Sequence, residues 1–161
     1  MEGPYRHPQH RYIRPQTPRR LGQALSPLIV ILVDTEVLID FLRGYPQAVI
    51  WFESLDDTPI LLCGLSALEL LEGCRNRQET DRLLQLLTPY RIVWPGSRDF
   101  DRVLADFALA RLDRKIGILD VLIGETAVGL GLPLHTFNVR HFRAIPGLHV
   151  VQPYPRSKQR P

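Results

Sequence analysis

Long apolar runs are scarce in this chain. The longest, Leu28 to Val33, has six residues, against about 20 for a membrane-spanning helix, so the sequence predicts no bilayer crossing. The opening residues lack the apolar stretch of a secretory leader. Cysteine is also scarce. Cys63 and Cys74 are the only two in 161 residues, too few for a disulfide framework. A reducing, cytoplasmic home is the expectation. The two cysteines are eleven apart, and His135 and His141 six apart, and neither pair has the spacing of a zinc site. No internal repeat is visible.

A positive surplus is missing where a nucleic-acid binder would want it. The net charge is +3, but residues 1–27 carry five Arg against one Glu, and residues 153–161 carry Arg156, Lys158 and Arg160 with no acid. Between them, 12 cations face 16 acids. The basic character belongs to the ends, and the middle is mildly acidic, so overall charge is no argument for nucleic-acid binding. Any such role requires cations to offset the charge at the site itself.

These shifts divide the chain into a basic, Pro-rich, disordered segment (1–27), one α/β domain (28–152) and a basic tail (153–161). Within the domain the pattern alternates. Strands are predicted at 28–33, 59–63, 90–93, 133–136 and 149–151. Helices are predicted at 37–43, 47–55, 66–75, 79–87, 98–113 and 120–129. Such alternation predicts a mainly parallel sheet with helices on both faces. Ligands in such folds sit at the carboxyl ends of the strands, where strand order reverses.

Three acids fall near such ends. Asp34 follows the first strand, with Thr35 beside it. Glu69 lies in the first turn expected after the second strand. Asp120 opens the helix before the fourth strand. Each is flanked by apolar residues, a costly setting for an unpaired charge. Each also reads as a helix cap. Ser66–Glu69 fits a capping box, and Asp34 and Asp120 fit N-caps. Caps do not explain why acids on three separate elements should meet at one sheet edge. Carboxylates that meet must take up protons or bind a cation. All-oxygen ligation suits Mg²⁺ or Mn²⁺, with Asp34 and Asp120 closest to the ion and Glu69 on it directly or through water. The chemistry this allows is metal-assisted phosphodiester hydrolysis.

These residues resemble the PIN-domain ribonucleases, specifically the VapC-type toxins of toxin–antitoxin pairs. Four stretches in order carry the resemblance: Asp34–Asp40 after the first strand, Ser66–Gly73 around Glu69, Asp120–Ala127, and Leu134–Phe142 followed by Ile145–Leu148. It implies a Rossmann-like α/β/α sandwich, Mg²⁺-dependent cleavage of RNA, catalytic Asp34, Glu69 and Asp120, a homodimer, and a small cognate antitoxin. Many members carry a fourth acid in the last stretch, where this chain has Asn138. Glu36 replaces a smaller polar residue of the family.

Supporting roles fall to Thr35 and Thr136, which follow strands and suit either a turn or the orientation of a phosphate or metal-bound water, and to Asn138. Asp40 reads as solvent-facing or paired with Arg43. Glu36 reads as a solvent-facing acid favouring the helix dipole. Glu72, Asp99, Asp101 and Asp106 read as surface charges. Trp51 and Trp94 read as core or dimer contacts. Arg111, Arg114 and Lys115 are the phosphate-contact candidates. Two other functions stay open. One is a catalytically weak binding module acting with an antitoxin on operator DNA. The other is a phosphoaspartyl receiver, disfavoured because no Lys stands between Lys115 and Lys158.

Overall fold

The computed structural model describes residues 30–156 apart from Asp57 and Lys115, with side chains described for that span except 108–114. The segment 1–27 and Lys115 therefore lie outside the described residues, as do the side chains of Arg111 and Arg114. In chain order the elements are β1 (Ile31–Val33), α1 (Thr35–Leu42), α2 (Pro46–Ser54), β2 (Ile60–Cys63), α3 (Gly64–Glu72), α4 (Arg77–Leu87), β3 (Arg91–Val93), α5 (Ser97–Arg114), α6 (Ile118–Leu130), β4 (Leu134–His135), α7 (Val139–Phe142) and β5 (Val150–Val151).

The five strands form one sheet in the order β3-β2-β1-β4-β5, and every neighbouring pair is parallel. The chain builds outward from β1 to β3 on one side, then crosses to lay β4 and β5 on the other. The reversal falls between β1 and β4, so the carboxyl ends of these two strands bound the crevice expected of an open α/β sheet.

β1 is buried on both faces, as its unbroken apolar run predicts. Ile31 and Val33 join a core with α1–α4, built on Leu38, Phe52, Leu70 and Leu83. Leu32 points the other way, into a core with α5–α7 that includes Val121, Ile123, Leu134 and Phe142. The period-2 alternation of one strand thus serves two cores and gives a three-layer α/β/α sandwich. Burial of a side chain such as Leu32 or Leu38 contributes about 1.5–3 kcal/mol.

Three local expectations are corrected. The capping box predicted at Ser66–Glu69 does not form: α3 begins at Gly64, the Ser66 hydroxyl is buried without a hydrogen-bond partner, and Glu69 falls in the second turn. A box-like arrangement occurs instead at α4, where Asn76 Oδ1 accepts from Glu79 N (3.0 Å) and Glu79 Oε2 accepts from Arg75 N (2.9 Å). Asp40 is 6% exposed rather than solvent-facing. The tail predicted from residue 153 does not begin there, because Tyr154 packs into the α1–α4 core.

A candidate active site at the β1–β4 crevice

Asp34 sits at the switch point and ties three elements together. Its N–H donates to His135 O (3.0 Å), continuing the β1–β4 ladder. Its Oδ1 accepts from Thr35 N (2.7 Å) and caps α1. Its Oδ2 accepts from the Thr136 hydroxyl (2.6 Å), just past β4. Thr136 Oγ1 in turn accepts from Asn138 N (3.0 Å). The cap reading and the site reading of Asp34 are therefore compatible. One oxygen faces the helix, and the other faces the loop after β4.

Burial dominates the chemistry of this carboxyl. Asp34 is only 6% exposed, and desolvation raises its pKa to about 6, against the lowering effect of the Thr136 and Thr35 hydrogen bonds. The charges of Asp120 and Glu36 push it further up. Asp120 lies in the first turn of α6, where the N-cap is Gly117. Its pKa is also raised, first by burial and to a lesser degree by Glu36, while a hydrogen bond from the Gly117 backbone and the charge of His141 act in the other direction.

Glu69 occupies a different position. Its Oε2 accepts a 2.6 Å hydrogen bond from the Thr35 hydroxyl, which ties it to the first turn of α1. Asp34 and Asp120 thus stand within each other's field, with Glu69 one hydroxyl away. Among the described residues no three His, Cys, Asp or Glu side chains form a ready-made metal cage. Thr35 and Thr136 each hold a carboxylate. Asn138 enters through its backbone, as N-cap of α7 without a side-chain cap bond.

Two residues stand nearer the site than their sequence readings suggested. Glu36 acts electrostatically on both Asp34 and Asp120, and Arg156, from the predicted tail, pairs with it at 2.9 Å. His141 on α7 acts on Asp120 through its charge, a role the sequence reading did not give it. Spacing from Asp34 was the one available signal for Glu36. The donor set is all oxygen: the buried Asp34 carboxyl, the partly exposed Asp120 and Glu69, and the hydroxyls of Thr136 and Thr35 that bond Asp34 and Glu69. It fits a hard divalent cation, whose charge would offset the repulsion.

The PIN domain family model matches residues 31–148, which hold the whole sheet up to β4 and all three acids. The chain belongs to the PIN-domain family. Among curated proteins it is similar to Ribonuclease VapC10 of Mycobacterium tuberculosis, 36% identical over 116 residues that cover 70% of this chain and 86% of that protein. It is also similar to Ribonuclease VapC19 of the same organism, 33% identical over 124 residues, covering 73% and 95%. Among solved structures, a toxin–antitoxin complex from Klebsiella pneumoniae matches with a TM-score of 0.62 and 28% identity over 77% of this chain and 98% of that one. VapBC2 from Rickettsia felis, bound to a DNA fragment from its promoter, shares the fold with a TM-score of 0.64 and 20% identity, over 76% and 98%.

Proposed function

We propose that this chain is a metal-dependent endoribonuclease, the toxin of a toxin–antitoxin pair, acting in the cytoplasm. The observation that carries the reading is the buried carboxyl of Asp34, lying in the field of the partly exposed Asp120, at the switch point of a PIN sheet. The similarity to two VapC ribonucleases and to a toxin–antitoxin complex supports the substrate class and the partner. A small cognate antitoxin and a homodimer belong to the same reading.

Asp34 and Asp120 would hold Mg²⁺ or Mn²⁺, with Glu69 reaching it directly or through water. When bound, the ion supplies a more acidic water and a positive charge beside the scissile phosphate. The chain's own part is positioning. Thr136 and Thr35 N fix the Asp34 carboxylate in one rotamer, and the Thr35 hydroxyl fixes Glu69. Burial keeps bulk water from screening Asp34, so its charge acts at close range. Asn138 organises the turn that carries Thr136 and adds no charge.

The test is cleavage of RNA by the purified protein with Mg²⁺ or Mn²⁺, against the same reaction in chelator and against Asp34→Asn. Metal-dependent cleavage lost in Asp34→Asn, with folding and antitoxin binding intact, is the expected outcome. A wild-type protein that binds an antitoxin and cuts no RNA with either ion would overturn the enzyme reading.

A further inference from the structure

The segment after β5 ties together the two elements that hold Asp34. Its sequence suits a fixed course. Pro153 and Pro155 lock the backbone φ on either side of Tyr154, and Gln152 Nε2 donates to Tyr154 O (3.2 Å). The buried Tyr154 donates its hydroxyl to Asp40 Oδ2 (3.2 Å) on α1. Its ring meets the Phe137 ring edge-on, with centroids 4.8 Å apart. Arg156 reaches the same two places. It donates to Asp40 Oδ2 from Nε (3.0 Å) and Nη2 (2.8 Å), and to Glu36 Oε2 from Nη1 (2.9 Å). Its guanidinium carbon lies 3.7 Å from the centroid of the Phe137 ring.

Both destinations lead directly to Asp34. It caps α1, with Oδ1 accepting from Thr35 N. Its Oδ2 accepts from the Thr136 hydroxyl, and Thr136 Oγ1 accepts from Asn138 N. Backbone pairing with β5 reaches Thr136 N, which donates to Val151 O (3.0 Å). Phe137 is the next residue, so its ring anchors the turn just past that pairing. A guanidinium suits this junction because it has two different surfaces. Its edge carries donors in a fixed plane, and its face stacks on an aromatic ring. The edge holds α1 through Asp40 and Glu36, while the face covers Phe137. An ammonium cannot do both in one geometry.

We propose that Arg156 and Phe137 are positioning residues: by joining α1 to the turn after β4, they hold the Thr136 hydroxyl against Asp34. The placement is a property of the chain without any ion. Only its catalytic consequence rests on the ribonuclease reading above. A carboxylate that must meet a reacting centre loses rate when it is misplaced, so loosening it should slow the chemical step more than it weakens RNA binding.

The experiment has two readouts on the full-length protein. In chelator, amide hydrogen exchange followed by NMR reports the Asn138 N–H, which bonds to Thr136 Oγ1. The Leu32 N–H, bonded to Pro133 O, serves as the reference for the sheet. Arg156→Lys keeps the charge and loses the fork. Phe137→Leu keeps apolar volume and loses the ring. Each should speed exchange at Asn138 by about tenfold beyond any change at Leu32. The second readout is steady-state cleavage, with Mg²⁺, of a single-stranded RNA that wild type cuts. Each variant should lower kcat about tenfold and leave KM within about twofold. Arg156→Lys should add little in the Thr136→Val background, where the positioned hydroxyl is already gone. Full protection at Asn138 in both variants overturns the positioning role. So does a raised KM with unchanged kcat, which would make Arg156 a substrate contact. A wild-type protein that cuts no RNA overturns the nuclease reading, and exchange at Asn138 then decides the placement by itself.

Discussion

At the scale of single residues, the candidate site sets burial against charge at Asp34, and that conflict is measurable as stability. Its carboxyl holds a proton up to about pH 6 in the folded chain, against 3.8 for an ordinary aspartate, because burial disfavours the charged form. The folded state therefore binds more protons than the unfolded state between those two values. Stability falls as pH rises through that window and stays lower above it. The shift corresponds to about 3 kcal/mol at neutral pH. In chelator, Asp34→Asn should raise stability at pH 8, by up to that amount, and change little at pH 3.5. Urea unfolding at the two pH values checks this. A mutant less stable than wild type at pH 8 would contradict the account. Thr136 is predicted to act in the opposite direction. It donates to Asp34 and accepts from Asn138 N, and a valine leaves both partners unsatisfied. Thr136→Val should cost about 1–3 kcal/mol by the same measurement. The sequence singled out Asp34, Glu69 and Asp120 as candidates because local signals mark them: an acid after an apolar strand, or an acid in a helix between apolar residues. It misread Asp40 because the residues that make burial tolerable, Tyr154 and Arg156, lie 114 and 116 positions further on. No local pattern reports such a pairing.

At the scale of elements, the strands and helices were legible from hydrophobic period, and their boundaries were decided by backbone accounting. Ser66 and Glu69 have the residue types of a capping box, but Gly64 and Leu65 already continue the chain helically from the end of β2. The box residues thus fall inside α3, where Glu69 is free to meet Thr35. Asn76 and Glu79 do sit at a true start, because the turn before them breaks the preceding helix. α7 went unpredicted since its four residues show no period. It exists because Asn138 O accepts from His141 N and Phe142 N while Phe142 is drawn into the second core. Glycine at the end of α6 offers a clean test of this accounting. Gly131 has φ of 65°, and its N–H bonds to the carbonyls of the preceding turn. A Cβ there would meet nothing within 4 Å, so Gly131→Ala has no packing consequence, only a backbone one. It should lower stability by about 1 kcal/mol. The mutation leaves the acids untouched, so cleavage rate at a temperature well below unfolding should be unchanged. A loss of activity without a loss of stability would show that α6 couples its far end to Asp120.

At the scale of the whole molecule, composition and structure disagree about where the domain ends, and truncation can decide between them. Charge and proline content place the boundary at residue 152. Packing carries it at least to Arg156, since Tyr154 is 6% exposed within the first core and Arg156 bonds two acids of α1. The two positions predict different losses. Removing residues 157–161 deletes Lys158 and Arg160 and keeps the contacts of Tyr154 and Arg156 with α1. Removing residues 153–161 uncovers the α1–α4 core and leaves Asp40 as a buried carboxylate stripped of the guanidinium and hydroxyl that it faces. Leaving one partner of a buried ion pair costs about 3–5 kcal/mol. A variant truncated after Gln152 should therefore melt many degrees below one truncated after Arg156. Asp40→Asn should recover part of the difference, because a neutral amide needs no counter-charge in that position. Differential scanning calorimetry of the two truncations, with and without Asp40→Asn, separates the accounts. Equal melting temperatures would make residues 153–156 a tail after all, and would remove the anchor from which Arg156 reaches Glu36.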